Sequence, residues 1–235
     1  MNAFSPQWYS IFLDSIAPEQ TEAEVAFVAR CAPLETHPRL LDLCCGSGRH
    51  ANELARRGYR VVGVDTNTAA LERARAAAPE GATYEALDMR TLDSLQEFDV
   101  VLNLWASFGY FDDATNEHVL RQVCTKLRPG GRVVMDLYNR DHMLRLPAEE
   151  PAVRHGVQID TRRSWLGNRL RVQVAYSSGG ADEFEWRLYT PVEFTELCQK
   201  VGLHVIHSCA WFVETLPPSA DHARMQFVLE RPHDN

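Results

Sequence analysis

The stretch from Leu40 to Asn67, LLDLCCGSGRHANELARRGYRVVGVDTN, decides the fold of this chain. It opens with an apolar run, breaks at Gly46-Ser47-Gly48, continues with helical spacing and ends in a second apolar run before Asp65. A glycine turn at a helix N-terminus offers backbone amides and a partial positive charge to a ligand. An acid at the end of the next strand commonly binds ribose hydroxyls. The spacing therefore predicts a nucleotide-like ligand.

Strand-like and helix-like segments alternate five times between residues 39 and 139. The strand segments are RLLDLC (39–44), YRVVGVD (59–65), ATYEAL (82–87), FDVVLNLW (98–105) and RVVMDLYN (132–139). They are apolar almost throughout, which is typical of a parallel sheet covered by helices on both faces. Right-handed crossovers then give a doubly wound α/β sheet, whose ligand lies beyond the carboxyl ends of the strands.

After Asn139 the pattern changes to a period of two residues. Apolar and polar residues alternate in RLRVQVAY (169–176), which predicts a strand with one solvated face. The flanking segments alternate as well, so we predict a three-stranded antiparallel meander inserted at about residues 153–189. A capping box at Thr190, a helix and two last strands follow. We expect one domain over residues 1–235, with an N-terminal helical lid over about residues 1–37.

Composition limits the possible partners. The chain has 235 residues and a formal net charge of −8, and its basic residues are scattered, which disfavours nucleic acid. No apolar run approaches the ~20 residues needed to cross a bilayer, and the first residues do not resemble a signal peptide. The six cysteines show no CxxC spacing. We therefore expect reduced thiols, no metal, no membrane partner and a cytoplasmic protein.

Two further acids distinguish a dinucleotide from S-adenosylmethionine as the ligand. Gly46-x-Gly48-x-x-Ala51 with Asp65 satisfies the loose dinucleotide pattern. Asp42, however, sits inside the first strand, where a dinucleotide needs no acid but a ligand with a free ammonium group does. Asp88-Met89 follows the third strand, which places a carboxylate and an apolar side chain where an adenine ring would lie. These positions favour S-adenosylmethionine.

Together the motifs resemble those of the class I S-adenosylmethionine-dependent methyltransferases. LLDLCCGSG corresponds to the glycine motif of that family, VVGVDTN to its ribose strand, EALDMRTL to its adenine segment and LRPGGRVVMDL to its fifth-strand motif. The resemblance covers about residues 39–138 and 189–231, and it implies a seven-stranded sheet whose last strand runs antiparallel between the fifth and sixth. The insert resembles the antiparallel subsheet of small-molecule N-methyltransferases, such as those acting on glycine or aminosugars.

The resemblance implies a role for each matching residue. Asp42 would face the ammonium group, Asp65 the ribose hydroxyls and Asp88 the adenine amine. The other expected cofactor contacts are Tyr9 as a lid residue, Gly46, Ser47, Gly48, Thr66, Met89 and the carbonyl of Leu104. The acceptor would approach the aromatic residues that follow the fourth strand, which are Trp105, Phe108, Tyr110 and Phe111.

The implied reaction is in-line transfer of a methyl group to a small molecule, with an amine expected as the acceptor. Most of the catalysis then comes from alignment and exclusion of water. A general base is needed only if the acceptor arrives protonated. The candidate bases, among which the sequence does not choose, are Tyr9, His50, Asp136, Tyr138 and His142.

Two other functions stay open on the sequence. One is a nucleotide-dependent oxidoreductase of Rossmann type, and the other is a catalytically inactive methyltransferase fold that serves as a scaffold. The inserted meander leaves a sheet edge, which predicts a possible homodimer through the insert.

Overall fold

The computed structural model describes residues 4–233. Two short helical turns, α1 (Pro6–Trp8) and a π-helix (Tyr9–Leu13), precede the longer helix α2 (Pro18–Cys31). All three lie within the segment that was predicted to form a helical lid. A π-helix is rare and often occurs at functional sites.

The central unit alternates strands and helices as predicted. Its elements are β1 (Arg39–Leu43), α3 (Arg49–Arg56), β2 (Arg60–Asp65), α4 (Thr68–Ala76), β3 (Ala82–Ala86), β4 (Phe98–Asn103), α5 (Asp113–Lys126), β5 (Leu127–Tyr138) and α6 (Arg140–Met143). After an inserted sheet, the chain closes with α7 (Pro191–Lys200), a strand at His204–Ala210 and a strand at Arg224–Glu230. Apolar residues that alternate along β1 divide between two buried clusters, with Leu41 and Leu43 in one and Leu40 in the other.

The inserted sheet has four strands, where the sequence had predicted three. They are β6 (Glu149–Arg154), β7 (Val157–Leu166), β8 (Arg169–Tyr176) and β9 (Ala181–Arg187), paired antiparallel in that order. The missed strand is β6, because all six of its residues are exposed and none of them alternates in burial. Pro151, at its centre, is also a residue that sequence patterns associate with turns or edge strands.

With β10 (His204–Ala210) and β11 (Arg224–Glu230), the main sheet has seven strands in the order β10-β11-β5-β4-β1-β2-β3. The last strand, β11, lies between β5 and β10 and is antiparallel to both, whereas β1 to β5 pair in parallel. The predicted seven-stranded sheet is thus confirmed. Within residues 4–233, no helix is long and apolar enough to cross a membrane.

Candidate active site

A cavity of about 440 Å³ lies at the carboxyl ends of β1, β2 and β4. Most residues predicted to bind a ligand line it: Tyr9, Asp42, Gly46, Ser47, Asp65, Thr66, Asp88, Met89, Leu104, Trp105, Tyr110 and Phe111. One predicted base, His50, lines it too. The other predicted residues do not border this cavity: Gly48, Phe108, Asp136, Tyr138 and His142.

The glycine turn brings Asp65 against the backbone. Gly46 (φ 53°) adopts a left-handed conformation, and its amide donates to one Asp65 oxygen at 2.8 Å. The Asn67 amide donates to the other oxygen at 2.8 Å. A carboxylate has about four lone-pair sites, so Asp65 keeps capacity for ligand hydroxyls. Gly48 (φ 76°) instead caps α3, and a Cβ there would lie 2.5 Å from the Tyr84 hydroxyl, which accounts for glycine without a ligand.

Asp42 is the least satisfied polar group at the cavity. It is 2% exposed, and within residues 4–233 its Oδ2 has no hydrogen-bond partner. Burial raises the pKa of Asp42 to about 7, and the nearby Asp65 charge adds to this effect while Arg49 opposes it. A buried carboxylate with an unpartnered oxygen is costly unless a cationic ligand group completes it. The position therefore fits an ammonium group.

Asp88 and Met89, which the resemblance assigns to the adenine segment, line the cavity after β3. The Asp88 carboxylate accepts from the Arg90 side chain at 3.0 and 2.5 Å and from its backbone amide at 2.9 Å. These hydrogen bonds lower the pKa of Asp88. Met89 is buried, and its sulfur lies 3.8 Å from the Cys44 sulfur.

Sequence analysis missed a buried network around Glu24 of α2. Its carboxylate accepts from His50 at 2.7 Å and from the Trp105 indole at 3.2 Å, and it forms an ion pair with Arg49 at 2.7 Å. Burial opposes ionisation of Glu24, but the contacts with His50 and Arg49 lower its pKa to about 2. Burial lowers the pKa of His50 to about 4, so at neutral pH an ionised Glu24 accepts from a neutral imidazole. No motif or spacing links these residues, because they are 25 or more positions apart from Glu24.

Asp136, a predicted base, is fully buried and forms an ion pair with Arg224. It also accepts from Gln226 at 2.8 Å and from the Trp105 amide at 3.0 Å. Trp105 (φ 63°) and Ala106 (φ 55°) are both left-handed, a strained conformation for residues with side chains. The Ala106 amide donates to the Asp136 carbonyl at 3.0 Å. Asp136 therefore anchors this loop.

The aromatic residues after β4 separate into two groups. Phe108 is 3% exposed and packs in the core against Tyr189 and Phe194, at 5.8 and 5.9 Å between ring centroids. The Trp105 ring lies in the cavity wall, with the guanidinium groups of Arg49 and Arg224 at 5.0 and 5.2 Å from its centre.

Three further contacts complete this region. Arg90 lies 4.8 Å from the centre of the Phe111 ring, so that aromatic face already contacts a cation of the protein. Tyr138 contacts Arg224 at 5.3 Å, and His142 Nδ1 lies 3.1 Å from the Ala220 carbonyl. In the part of the chain that the structure covers, no group of three or more His, Cys, Asp or Glu side chains is arranged to hold a metal.

Comparison with known proteins identifies this arrangement. A family model described as a methyltransferase domain matches residues 40–131, which contain β1 to β4 and the cavity acids. This match and the shared fold support a class I S-adenosylmethionine-dependent methyltransferase. The sheet order is the one that the resemblance implied, and the insert is antiparallel as expected but has four strands rather than three.

This chain has relatives whose names include both O- and N-methyltransferases. It is 35% identical over 121 residues to a ubiquinone biosynthesis O-methyltransferase of Alkalilimnicola ehrlichii, a match that covers 49% of this chain and 47% of that protein. The chain thus spans about half the length of that curated relative.

Two solved structures share the fold over nearly the whole chain. An S-adenosylmethionine-dependent methyltransferase from Clostridium acetobutylicum superposes with a TM-score of 0.81 at 13% identity, covering 96% of each chain. An amino pentose methyltransferase from Micromonospora echinaspora, with S-adenosylmethionine bound, gives 0.73 at 21% identity over 98% of this chain and 99% of that one. At these identities the likeness is one of fold.

Proposed function

We propose that the chain binds S-adenosylmethionine in the cavity and transfers its methyl group to a small-molecule amine. The observation that carries this proposal is the unpartnered, buried Oδ2 of Asp42 beside the ribose acid Asp65. A dinucleotide has no ammonium group to complete Asp42. The methyltransferase-domain match over residues 40–131 and the S-adenosylmethionine-bound structure of the same fold support the same ligand.

The residues around Asp42 match both charges of the methionine portion. Arg49 lines the cavity, and its Nη2 is buried without a partner within residues 4–233. The Arg49 charge also acts on Asp42. We therefore propose that Asp42 holds the ammonium group and Arg49 the carboxylate. Asp65 would hold the ribose hydroxyls, and Met89 would cover the adenine ring.

The bound cofactor supplies an already electrophilic methyl group. The chain contributes alignment and exclusion of water, because Phe4, Trp8, Tyr9 and Trp105 wall the cavity with large rings. A neutral amine needs no base. Of the predicted bases, Tyr9 and His50 border the cavity, whereas Asp136 is held in its ion pair with Arg224.

The preference for an amine rests on the inserted sheet and on the aminosugar-type relative, and it is independent of any cation–π site. Arg49, Arg90 and Arg224 already contact the Trp105 and Phe111 rings. An acceptor that is a permanent cation would meet these guanidinium charges. A neutral amine avoids that repulsion.

Calorimetric titration with S-adenosylhomocysteine and, separately, with NADH tests the cofactor. We expect heat with S-adenosylhomocysteine only. Asp65→Ala should weaken that binding about tenfold or more, since a carboxylate that accepts two hydrogen bonds is removed. Asp93→Ala, an exposed acid away from the cavity, is the matched control. Heat with NADH alone would replace the proposal by an oxidoreductase.

A screen of amines, amino acids, phenols and thiols with methyl-labelled S-adenosylmethionine tests the acceptor. We expect label in the amines. Label only in phenols would reject the amine while keeping methyl transfer, and label only in tRNA or protein would reject a small-molecule acceptor. Cofactor binding with no turnover on any class would favour the inactive scaffold.

The predicted homodimer through the insert remains a prediction, and the structure supplies an argument against pairing through β6. The Arg163 amide donates to the Ala148 carbonyl at 2.7 Å, and the register pairs Pro151 with Asp160. Bonded pairs alternate along an antiparallel ladder, so the nitrogen of Pro151 faces the free edge, where it has no proton to donate. Light scattering measures the mass directly. We also propose a cytoplasmic location, on the six cysteines, all free in the structure.

A further inference from the structure

The lid segment, Phe4–Leu13, connects the main sheet to the inserted sheet. Four of its residues line the cavity: Phe4, Trp8, Tyr9 and Leu13. On the side of the main sheet, the Tyr9 hydroxyl accepts from the Asn67 side chain at 3.2 Å. Asn67 follows the ribose acid Asp65 by two residues. The lid segment therefore borders the region proposed for the cofactor.

On the side of the inserted sheet, the lid segment forms hydrogen bonds with one buried acid. Asp182, in β9, is 7% exposed. Its Oδ1 accepts from the Ser5 amide at 3.1 Å, and its Oδ2 accepts from the Ser5 hydroxyl at 2.7 Å. The Tyr176 hydroxyl donates to Oδ2 at 2.7 Å. No Lys, Arg or His within residues 4–233 forms an ion pair with Asp182. Two of these three donors thus come from the lid.

Ser5, which is bound to Asp182, also forms hydrogen bonds with two residues that line the cavity. Its hydroxyl accepts from the Trp8 amide at 3.1 Å, and its carbonyl accepts from the Tyr9 amide at 3.1 Å. The Phe4 ring stacks on Phe184 at 4.7 Å, and the Trp8 ring contacts the same side chain at 5.9 Å. The position of Ser5 on Asp182 therefore fixes the first turn, including Trp8 and Tyr9.

We infer that Asp182 is a positioning residue that holds the lid segment closed, so that the inserted sheet sets how fast the cofactor leaves. This inference rests on the proposed function for the identity of the cofactor. A buried carboxylate needs its donors, and hydrogen bonds to an ionised acceptor are stronger than neutral ones. Opening the lid exchanges the two Ser5 bonds for water and separates the packed rings of Phe4 and Phe184.

Asp182→Asn is the direct test, because it keeps the shape of the side chain and removes its charge. We expect S-adenosylhomocysteine to dissociate about tenfold faster in stopped-flow measurements, the size of one charge-assisted hydrogen bond. Glu183→Gln is the matched control. Glu183 is the next residue on the same strand, is exposed and binds Gln173 at 2.7 Å rather than the lid. Its dissociation rate should equal that of the unchanged protein.

A double-mutant cycle tests whether Asp182 acts through Ser5, as a latch on the lid segment, or only stabilises the inserted sheet. Ser5→Ala removes the lid hydroxyl and leaves Asp182 with the backbone amide of residue 5 and the Tyr176 hydroxyl. If Asp182 acts through the lid, Ser5→Ala alone speeds dissociation, and adding Asp182→Asn adds less than the two single effects together. A lower melting temperature with an unchanged dissociation rate in both single variants would mean that Asp182 only stabilises the insert, and would overturn the inference.

Hydrogen exchange measured without ligand tests the role of Asp182 independently of whether the proposed cofactor is correct. The amides of Trp8 and Tyr9 should exchange faster in Asp182→Asn than in Glu183→Gln. If the unchanged protein binds no S-adenosylhomocysteine, the proposed cofactor is wrong, yet faster exchange of these amides still supports the latch. Equal exchange in the two variants would reject the latch whatever ligand binds.

Discussion

Two groups of charged residues at the cavity, which we name the cofactor end and the acceptor end after the roles proposed above, are used in opposite ways. At the cofactor end, Asp42 has an oxygen without a partner among residues 4–233, and Asp65 accepts from the backbone amides of Gly46 and Asn67. At the acceptor end, around Trp105, the acids already have partners: Glu24 is paired with His50 and with Nη1 of Arg49, and Asp136, behind the cavity lining, is paired with Arg224. Nη2 of Arg49, the atom proposed to meet the cofactor, has no partner within residues 4–233. The charges of the first group await a ligand, whereas those of the second group are already compensated within the protein.

This difference indicates how each end recognises its ligand. Open polar atoms in a buried position discriminate strongly, because a ligand without the matching group leaves them unpaired. Paired charges leave shape and ring contacts as the main source of selectivity. We therefore expect the cofactor end to be highly selective for its ligand and to lower the free energy of unfolding. We expect the acceptor end to stabilise the fold and to accept related small molecules.

The largest expected effect is on folding, at the acceptor end. Asp136→Ala removes one member of a buried ion pair and leaves Arg224 buried without its partner, which typically costs about 3–5 kcal/mol. Urea unfolding should show this loss in the free energy of unfolding. Asp88→Ala is the control at the cofactor end: 43% of the side chain of its partner Arg90 is exposed, so water can solvate the charge that is left, and the loss should stay within about 1 kcal/mol. Equal losses would remove the contrast between the two ends.

At the cofactor end, Asp42→Asn should change binding rather than folding. The variant keeps the shape and loses the charge that faces the ammonium group, so binding of S-adenosylhomocysteine should weaken about 10- to 100-fold. The free energy of unfolding at pH 8 should not fall, because burial already disfavours the ionised carboxyl group. Calorimetry and urea unfolding on one preparation measure both quantities. A large loss of stability with normal binding would make Asp42 a structural residue.

The cofactor end was predictable from sequence because its residues follow local rules. Gly46 and Asp65 lie at the ends of apolar strands, and parallel strands bring those ends together at one edge. The acceptor end was not predictable from sequence, because Glu24, Trp105 and Arg224 are far apart in the chain and belong to no common motif. Their pairing depends on how α2 and β11 pack, and no periodicity encodes it.

The inserted sheet shows the same limit. Strand β8 was predicted with its exact bounds, since buried and exposed residues alternate along it. Strand β6 escaped because an edge strand exposed on both faces has no hydrophobic pattern. The contact between Asp182 and the lid segment was missed for a different reason. An acid in a strand is ordinarily interpreted as solvent-facing, whereas Asp182 lies on the buried face of β9 and contacts Ser5 and Tyr176.

A smaller effect is expected in the pH dependence of ligand binding at the cofactor end. Since burial raises the pKa of Asp42 to about 7 from 3.8, the carboxyl group is mostly protonated at pH 6 and mostly ionised at pH 8. The affinity for S-adenosylhomocysteine should therefore rise about tenfold between these pH values. The free energy of unfolding has the opposite course, because the cost of ionising the buried Asp42 is absent below about pH 3.8 and complete above about pH 7. Asp42→Asn should bind equally at both pH values, and a persisting slope would assign the titration to another group.

The smallest expected effect concerns Trp105, where the two ends meet. Trp105→Phe keeps a ring between Arg49 and Arg224 but removes the indole donor to Glu24, which retains His50 and Arg49 as partners. We expect a loss of about 0.5–1.5 kcal/mol in the free energy of unfolding, the size of one hydrogen bond. Affinity for S-adenosylhomocysteine should stay within about twofold, while KM for the acceptor rises several-fold, because the ring borders the acceptor side of the cavity.

Trp211→Phe is the matched control, since Trp211 is also left-handed (φ 57°) but lies outside the cavity lining with 52% of its surface exposed. If Trp105→Phe instead weakens the cofactor and spares the acceptor, the loop after β4 belongs to the cofactor end, and the division of the cavity into two differently built halves must be redrawn there.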